Sequence, residues 1–500
     1  MEQLLAPSSS ILRVMSAESL APALALIGIV ILVSSLLSGL VERTGISQVA
    51  IFLLLGVIVG PQGLNLVELT LASPTLQWIA TLGLVLVLFT DAIALDFSEI
   101  RRPRRLLFTI LGPATLLPAG LIALAAWLLL DLGVIRSLIL GAALASTDPV
   151  MLRSLTRRST LPPVAREALR LEGGINDVVL LPIVVLGMLA LHSDTNLGSE
   201  LGRHAVGLFL LGPLLGALIG YVAITLLEQV RKRVSVRRDY ESLYALGVAF
   251  TAYAAAESVG GSGFLAAFAA GLVIARLDVE LCDCFLDYGQ ATAEMFLLFT
   301  FVAFGAGLIW TGFAVVDIPT LAFAAVALLA RTAVMLPVLA RLRVERKTRR
   351  VLAWAGPRGL SSLLLVLLPI FAGAPGTERL FAITCLVVLL SVLLHGTGIA
   401  IFLRKSEVPS AAEPAAVTSA PLTTEPDLKI PAPERITLAE LRQLQEAGAP
   451  VILADVRTGR SFSADNLIAR GAIRLPPDDA VRRARQLGLD HHATVVLYCA

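Results

Sequence analysis

Apolar stretches long enough to cross a bilayer recur along the first 400 residues, and no other feature limits the fold so strongly. A hydrocarbon core about 30 Å thick is spanned by about 20 helical residues. Backbone at that depth must satisfy its own hydrogen bonds, which leaves helices or closed barrels. The stretches fall near 20–41, 47–65, 76–96, 106–130, 136–153, 166–192, 205–229, 240–257, 262–276, 290–310, 318–340, 348–371 and 379–403. They are runs of helix-spanning length. The sequence therefore predicts an all-α polytopic membrane protein with about 13 transmembrane helices. Composition agrees, with 56% hydrophobic and 16% charged residues, well outside the range of an ordinary soluble domain.

The loops carry an orientation signal. Basic clusters follow the third stretch (Arg101, Arg102, Arg104, Arg105), the fifth (Arg153, Arg157, Arg158, Arg166) and the seventh (Arg231, Lys232, Arg233, Arg237, Arg238). They recur at Arg341, Arg343, Arg346, Lys347, Arg349 and Arg350, and at Arg404 and Lys405. Alternate loops offer mainly Arg136, Arg203 and Arg379. The positive-inside rule then puts the N-terminus outside and the C-terminus in the cytoplasm of a plasma-membrane protein. The first stretch lacks the basic start and small-residue cleavage site of a signal peptide, so it reads as an uncleaved span. The net charge of +2 gives no reason to expect a nucleic-acid partner; the bilayer is the expected partner. Cys282, Cys284, Cys385 and Cys499 form neither a disulfide framework nor a zinc pattern, and Cys282-Asp283-Cys284 has the wrong spacing for a redox pair.

Three acids interrupt this apolar texture. Asp148 lies in Ser146-Thr147-Asp148-Pro149, and Glu172 and Asp177 lie in Glu172-Gly173-Gly174-Ile175-Asn176-Asp177. A carboxylate at bilayer depth costs about 2.5–3.5 kcal/mol even on a lenient scale, and so marks an ion or proton path. Pro149 lacks an N–H and disfavours helical dihedrals at Asp148, which predicts an unwound point offering oxygens at Thr147 and Asp148. Thr-Asp-Pro is also a helix-start signal, in which case Asp148 caps a helix. On the second segment, Glu172 and Asn176 share one helical face, as do Gly173 and Asp177. Oxygen ligands without His or Cys suit an alkali cation or a proton.

Thirteen spans divide as six, one and six, and halves seven spans apart run in opposite directions, the geometry of an inverted repeat. The counterpart of the fifth span is the twelfth, which holds Gly356-Pro357-Arg358-Gly359. Paired interrupted spans point to a transporter's binding site. Arg358 would there pair with a carboxylate such as Glu172, or else snorkel at the cytoplasmic entry of its span.

Thr147-Asp148-Pro149, Glu172 with Asn176-Asp177, and Gly356-Pro357-Arg358-Gly359 together resemble the signature positions of the monovalent cation:proton antiporter-1 family, the NhaP-type sodium/proton antiporters. Arg331 in Ala330-Arg331-Thr332-Ala333-Val334 and the run 257–263 resemble further family features. The resemblance covers residues 1–405 and implies two inverted six-helix repeats with broken helices that cross. It implies a homodimer whose core domain moves against a dimerisation domain. It makes Asp177 the principal ion and proton carboxylate, with Na+ at Asp177, Asp148 and Thr147, and has Glu172 and Arg358 hold Asn176. Gly173 stands where some members offer a serine hydroxyl, so the ligand shell departs from theirs.

Residues 406–434, rich in Pro, Ala, Thr and Ser, read as a flexible linker. From there the texture is soluble α/β, with strands expected at 451–457 and 495–499 and a capped helix start at Thr437-Leu438-Ala439-Glu440. Asp455-Val456-Arg457, Gly471-Ala472-Ile473 with Leu475-Pro476, and Leu497-Tyr498-Cys499 resemble a rhodanese-like domain, here a partial one over 435–500. The resemblance implies a persulfide-bearing nucleophile at Cys499, or an inactive member with a strand-end cysteine. Its active loop would begin where the sequence stops, which implies a longer natural protein.

The sequence is thus read as a transporter rather than an enzyme, exchanging a monovalent cation, Na+ first, for H+ without a cofactor. Two other classes fit less well. A membrane-anchored sulfurtransferase would have no use for acids in its spans. An ion-gated channel or sensor would conduct without counter-transport.

Overall fold

A computed structural model of the chain describes, with short gaps, chiefly residues 48–95, 112–152, 163–192, 206–277, 292–406 and 451–498. Two compact units emerge, Met1–Ser406 and Glu407–Ala500. The expected span at 20–41 lies largely outside the described residues, as do Cys282, Cys284, Cys499, the stretch 406–434 and the helix start at Thr437.

The first unit is helical. In chain order its main helices are α1 (Gln48–Val59), α2 (Pro74–Ala94), α3 (Pro113–Leu129), α4 (Val134–Ala145), α5 (Pro163–His192), α6 (Gly212–Arg231), α7 (Arg238–Ser258) and α8 (Gly263–Leu277). There follow α9 (Met295–Gly305), α10 (Ile318–Arg341), α11 (Arg346–Trp354), α12 (Leu360–Phe371) and α13 (Glu378–Ser406). Among the described residues five helices are long and apolar enough to cross a membrane: Pro74–Ala94, Leu171–Leu191, Gly207–Arg231, Ile318–Arg341 and Glu378–Gly398. A sixth candidate is the bent pair Met295–Gly305 and Leu308–Val315. This makes the unit a polytopic membrane protein.

The interior is filled by Phe89, Phe301, Phe304, Phe323 and Phe381 among many aliphatic side chains. Outward faces are apolar too: α6 exposes Leu214, Leu218, Val222 and Leu226, as a lipid-facing helix should, since lipid tails are as apolar as leucine. Its opposite face is small. A Cβ on Gly220 would sit 3.0 Å from the Ala270 carbonyl oxygen, and one on Gly216 would overlap the backbone at Ala266. Close contact of α6 with α8 therefore rests on dispersion between backbones, which packing in lipid requires.

Two spans break, and proline chemistry explains where. A proline ring clashes with the carbonyl four residues earlier and cannot donate to it. In the sequence, Pro149 has no N–H to offer the Ala145 carbonyl; α4 ends at Ala145, and residues 146–148 lie outside the helix. Pro357 has none to offer the Ala353 carbonyl, and the helix ends one residue later at Trp354, before the non-helical 355–359 and the restart at Leu360. Pro118 and Pro369 stay inside continuous helix. A proline alone does not unwind a span; the freed carbonyl must also find a better partner.

The second unit contains three parallel strands, β1 (Val451–Asp455), β2 (Ile473–Arg474) and β3 (Thr494–Tyr498), in the order β2-β1-β3, with a short helix α14 (Ala480–Gln486) before β3. Asp455 ends β1 fully buried, and its carboxylate is gripped by the Arg457 guanidinium at 2.7 Å and by the Arg457 backbone N–H at 3.0 Å. Arg474 reaches the Asp455 carbonyl at 3.1 Å and lies over the Phe462 ring.

Candidate ion-binding site at the crossing of two broken helices

The two breaks meet. The Asp148 backbone N–H donates to the Pro357 carbonyl at 2.9 Å, so the unwound segments satisfy one another at a buried point. The Asp148 carboxylate then accepts the N–H of Leu360, the first residue of α12, at 3.1 Å. Asp148 therefore caps a helix, but the helix is α12 across the crossing, whose exposed N–H groups and positive dipole end favour a carboxylate.

Arginines hold the opposite ends. Arg358 Nη1 donates to the carbonyls of Ala145 at 2.7 Å and Ser146 at 3.0 Å, at the C-terminus of α4. Arg331 Nη1 donates to the carbonyls of Leu352 and Ala353, and the Thr332 hydroxyl also donates to Ala353 at 3.0 Å, at the C-terminus of α11. Cations at the negative ends of helices are favourable, more so when buried. Each break thus carries a compensating charge drawn from another segment.

The remaining side of Arg331 faces Glu172 of α5. Nε lies 2.9 Å from Oε1 and Nη2 lies 2.6 Å from Oε2, a two-point pair with both side chains buried. This corrects the expected pairing of Glu172 with Arg358. Arg358 instead directs Nη1 to the end of α4, and its backbone N–H donates to the Ser391 hydroxyl at 2.7 Å. Arg331, from the middle of α10, presents the planar fork that a carboxylate takes best.

Thr147, Asp148, Glu172, Asn176, Asp177, Arg331 and Arg358 are all 3% exposed or less, at one place in the fold. Asn176 Nδ2 donates to the Thr147 hydroxyl at 3.1 Å and reaches toward the Ala145 carbonyl at 3.5 Å. The Ser146 hydroxyl donates to Asp177 Oδ1, and Ser361 lies beside the same carboxylate. Asp177 Oδ2 and Asn176 Oδ1 are buried and accept no hydrogen bond from the described residues. Asp148 is near enough to Asp177 for their charges to repel. The arrangement can bind a small cation through oxygens, or a proton on Asp177.

Several participants escape the sequence reading. Ser146 adjoins the Thr-Asp-Pro signal, yet nothing in sequence says its hydroxyl reaches α5. Asp91, half-buried in α2, has its Cβ 3.4 Å from the position a Cβ on Gly174 would take, and an acid in an apolar span was signal enough to find it. Ser391 and His395 share a face of α13, four residues apart, with Ser391 Oγ 3.2 Å from His395 Nδ1. His395 in turn lies against the Trp354 ring. Cys499, the candidate nucleophile of the second unit, is outside the described residues.

Comparisons with known proteins bear on the family and the fold. The K(+)/H(+) antiporter NhaP of Alkalimonas amylolytica is 28% identical over 403 residues, 78% of this chain and 68% of that protein. The Na(+)/H(+) antiporter NhaG of Bacillus atrophaeus is 27% identical over 344 residues, 64% of this chain and 62% of that protein. The chain thus spans roughly two thirds of the length of these relatives. The solved structure of the sodium proton antiporter MjNhaP1 from Methanocaldococcus jannaschii superposes with a TM-score of 0.62 at 22% identity, over 77% of this chain and 99% of that one, and so shares its fold. The sequence profile described as sodium/hydrogen exchanger, transmembrane, matches residues 29–405, and the chain belongs to that family.

Proposed function

We propose that the chain exchanges a monovalent cation for H+ across the plasma membrane by alternating access. The observation that carries this reading is Asp177: a carboxylate 1% exposed, held on one oxygen by Ser146 and joined by no basic side chain among the described residues. Glu172 has its counter-charge in Arg331, whereas Asp177 is left to be neutralised by something that arrives and leaves. A cation or a proton does so in turn. Only the neutralised core crosses between inward and outward states, because a bare carboxylate faces a barrier of several kcal/mol in low dielectric. That requirement couples the two fluxes.

Thr147, Asn176 and Asp148 complete the Na+ site in this reading, and Glu172, Arg331 and Arg358 hold its walls. The surrounding architecture is two inverted six-helix repeats within thirteen spans, with the N-terminus outside and the C-terminus cytoplasmic. The protein works as a homodimer. K+ in place of Na+ is a second reading, favoured by the name of the Alkalimonas relative. The domain boundaries are 1–405 for transport, 406–434 for the linker and 435–500 for a rhodanese-like module. That module is supported by the parallel β2-β1-β3 order and the Asp455–Arg457 pair, with Cys499 following β3 as its candidate nucleophile.

The experiment is proton flux in proteoliposomes challenged with Na+, K+ or Li+ in turn, for wild type and Asp177→Asn. Cation-driven flux in the wild type alone is expected. Wild-type rates in the variant, or flux without counter-transport, overturn the reading.

A further inference from the structure

The broken end of α4 offers several oxygens, and the surrounding side chains already engage many of them. The Ala145 and Ser146 carbonyls, which an unwound helix would ordinarily offer to a cation, are both occupied by Arg358 Nη1 at 2.7 and 3.0 Å, and Ser362 also approaches the Ser146 carbonyl at 3.4 Å. One Asp148 carboxylate oxygen is engaged by the Leu360 N–H. The Thr147 hydroxyl accepts from Asn176 Nδ2. A carbonyl only accepts, so the approach of the same Nδ2 to the Ala145 carbonyl fixes which end of the amide faces it, and Oδ1 is turned the other way. Beside these, Asp177 Oδ2 and Asn176 Oδ1 are buried side-chain oxygens that accept no hydrogen bond from the described residues. The hydroxyl that donates to that carboxylate's Oδ1 is Ser146 Oγ, fully buried, and Ser361 lies beside the same group.

We propose that Ser146 is a specificity-determining ligand, whose hydroxyl donates to Asp177 in the cation-free protein and turns its lone pairs to the cation when one binds between Asp177 and Asn176. A hydroxyl is suited to this exchange, because it carries one donor and two acceptor lone pairs on a single rotor. The rotation keeps one polar contact satisfied in both states, where a fixed carbonyl would be left bare whenever the site lacked a cation. The backbone of Ser146 cannot follow the ion, since its carbonyl is held by Arg358. Affinity is therefore tuned by one rotating side chain on an anchored main chain. A small alkali cation draws its ligands in closest and depends most on that oxygen.

This inference rests on the exchange reading, and its test separates the two. The full chain is reconstituted as wild type, Ser146→Ala, Ser146→Thr and Asp177→Asn, and initial rates are measured against Na+, K+ and Li+ concentration. Ser146→Ala is expected to raise the apparent KM for the smaller cations by about tenfold, the size of one lost polar contact. Its KM should rise by more than its kcat falls, and Ser146→Thr, which keeps the hydroxyl, should restore KM to within about threefold. Cation-induced protection against thermal unfolding in detergent gives the same comparison without transport. Exchange in wild type, none in Asp177→Asn and an unchanged KM and protection in Ser146→Ala would overturn the ligand role alone. Absence of cation-driven exchange in wild type would overturn the exchange reading beneath it.

Discussion

Glu172 of α5 and Arg331 of α10 lock together through two parallel hydrogen bonds of 2.9 and 2.6 Å, both side chains sealed from solvent. The same guanidinium reaches the last carbonyls of α11. One ion pair thus ties the helix that carries Asp177 to the half-helix that leads into the second break. Removing either partner strands a buried charge, at a cost of about 3–5 kcal/mol. Glu172→Ala and Arg331→Ala are each expected to lower the melting temperature in detergent along with transport. A double-mutant cycle should give a coupling of about 0.5–3 kcal/mol between them, and a smaller one between Glu172 and Arg358. The assignment fails if Arg358 proves the more strongly coupled partner.

That pairing also marks how far the sequence could be read. Apolar length located many of the described helices, and the prolines beside Asp148 and Arg358 marked both interruptions, because these are local effects of chain geometry. The acids inside apolar segments identified the candidate site, since burial of charge is costly anywhere. Which of two arginines meets Glu172 depends on distances between segments about 160 and 190 positions away, and spacing along the chain contains none of that. Asp148 shows the same limit. Its capping role was legible as an alternative, but the helix it caps begins 212 residues later. Ser146 looked like an ordinary neighbour of a turn signal until α5 was brought against it.

The glycines of the second break are required by contact. A Cβ on Gly359 would overlap the Asp148 carboxylate, and one on Gly356 would overlap the Arg331 side chain. Gly359→Ala should therefore displace the cap of α12, costing about 1–3 kcal/mol as overpacking does, and should depress transport more than stability. Gly120, inside α3, has open space around its Cβ position. Gly120→Ala should be neutral or stabilising by up to about 1 kcal/mol. Equal melting temperatures for the two variants would refute the contact argument.

Exchange is expected to be electroneutral. Asp177 is the one carboxylate at the crossing assigned an exchangeable charge; Glu172 is neutralised by Arg331, and Asp148 caps α12. One cation then replaces one proton per cycle. In proteoliposomes with balanced ion and proton gradients, a membrane potential set by a potassium ionophore should drive no Na+ uptake. Potential-driven uptake would require a second mobile charge, and Asp91 beside Gly174 would be the first residue to test.

The second unit should be sensitive to acid at one residue. Hydrogen bonds from the Arg457 side chain, with the Arg457 backbone N–H and the Arg474 charge adding to them, hold the Asp455 carboxyl below its ordinary range despite burial. A carboxyl depressed in the folded state contributes stability that is full above its unfolded value of about 4 and is lost as pH falls below that. Hydrogen exchange in β1 and β3, corrected for intrinsic rates, should therefore stay slow from pH 7 to about 5 and accelerate as pH drops through 4 toward 3. Asp455→Asn removes the titrating group and leaves Arg457 and Arg474 without their anion. It should exchange faster at pH 7 and show a flatter response to acid. If wild type and Asp455→Asn lose protection in parallel below pH 4, the acid sensitivity of these strands comes from other carboxylates and the Asp455–Arg457 pair is not its source.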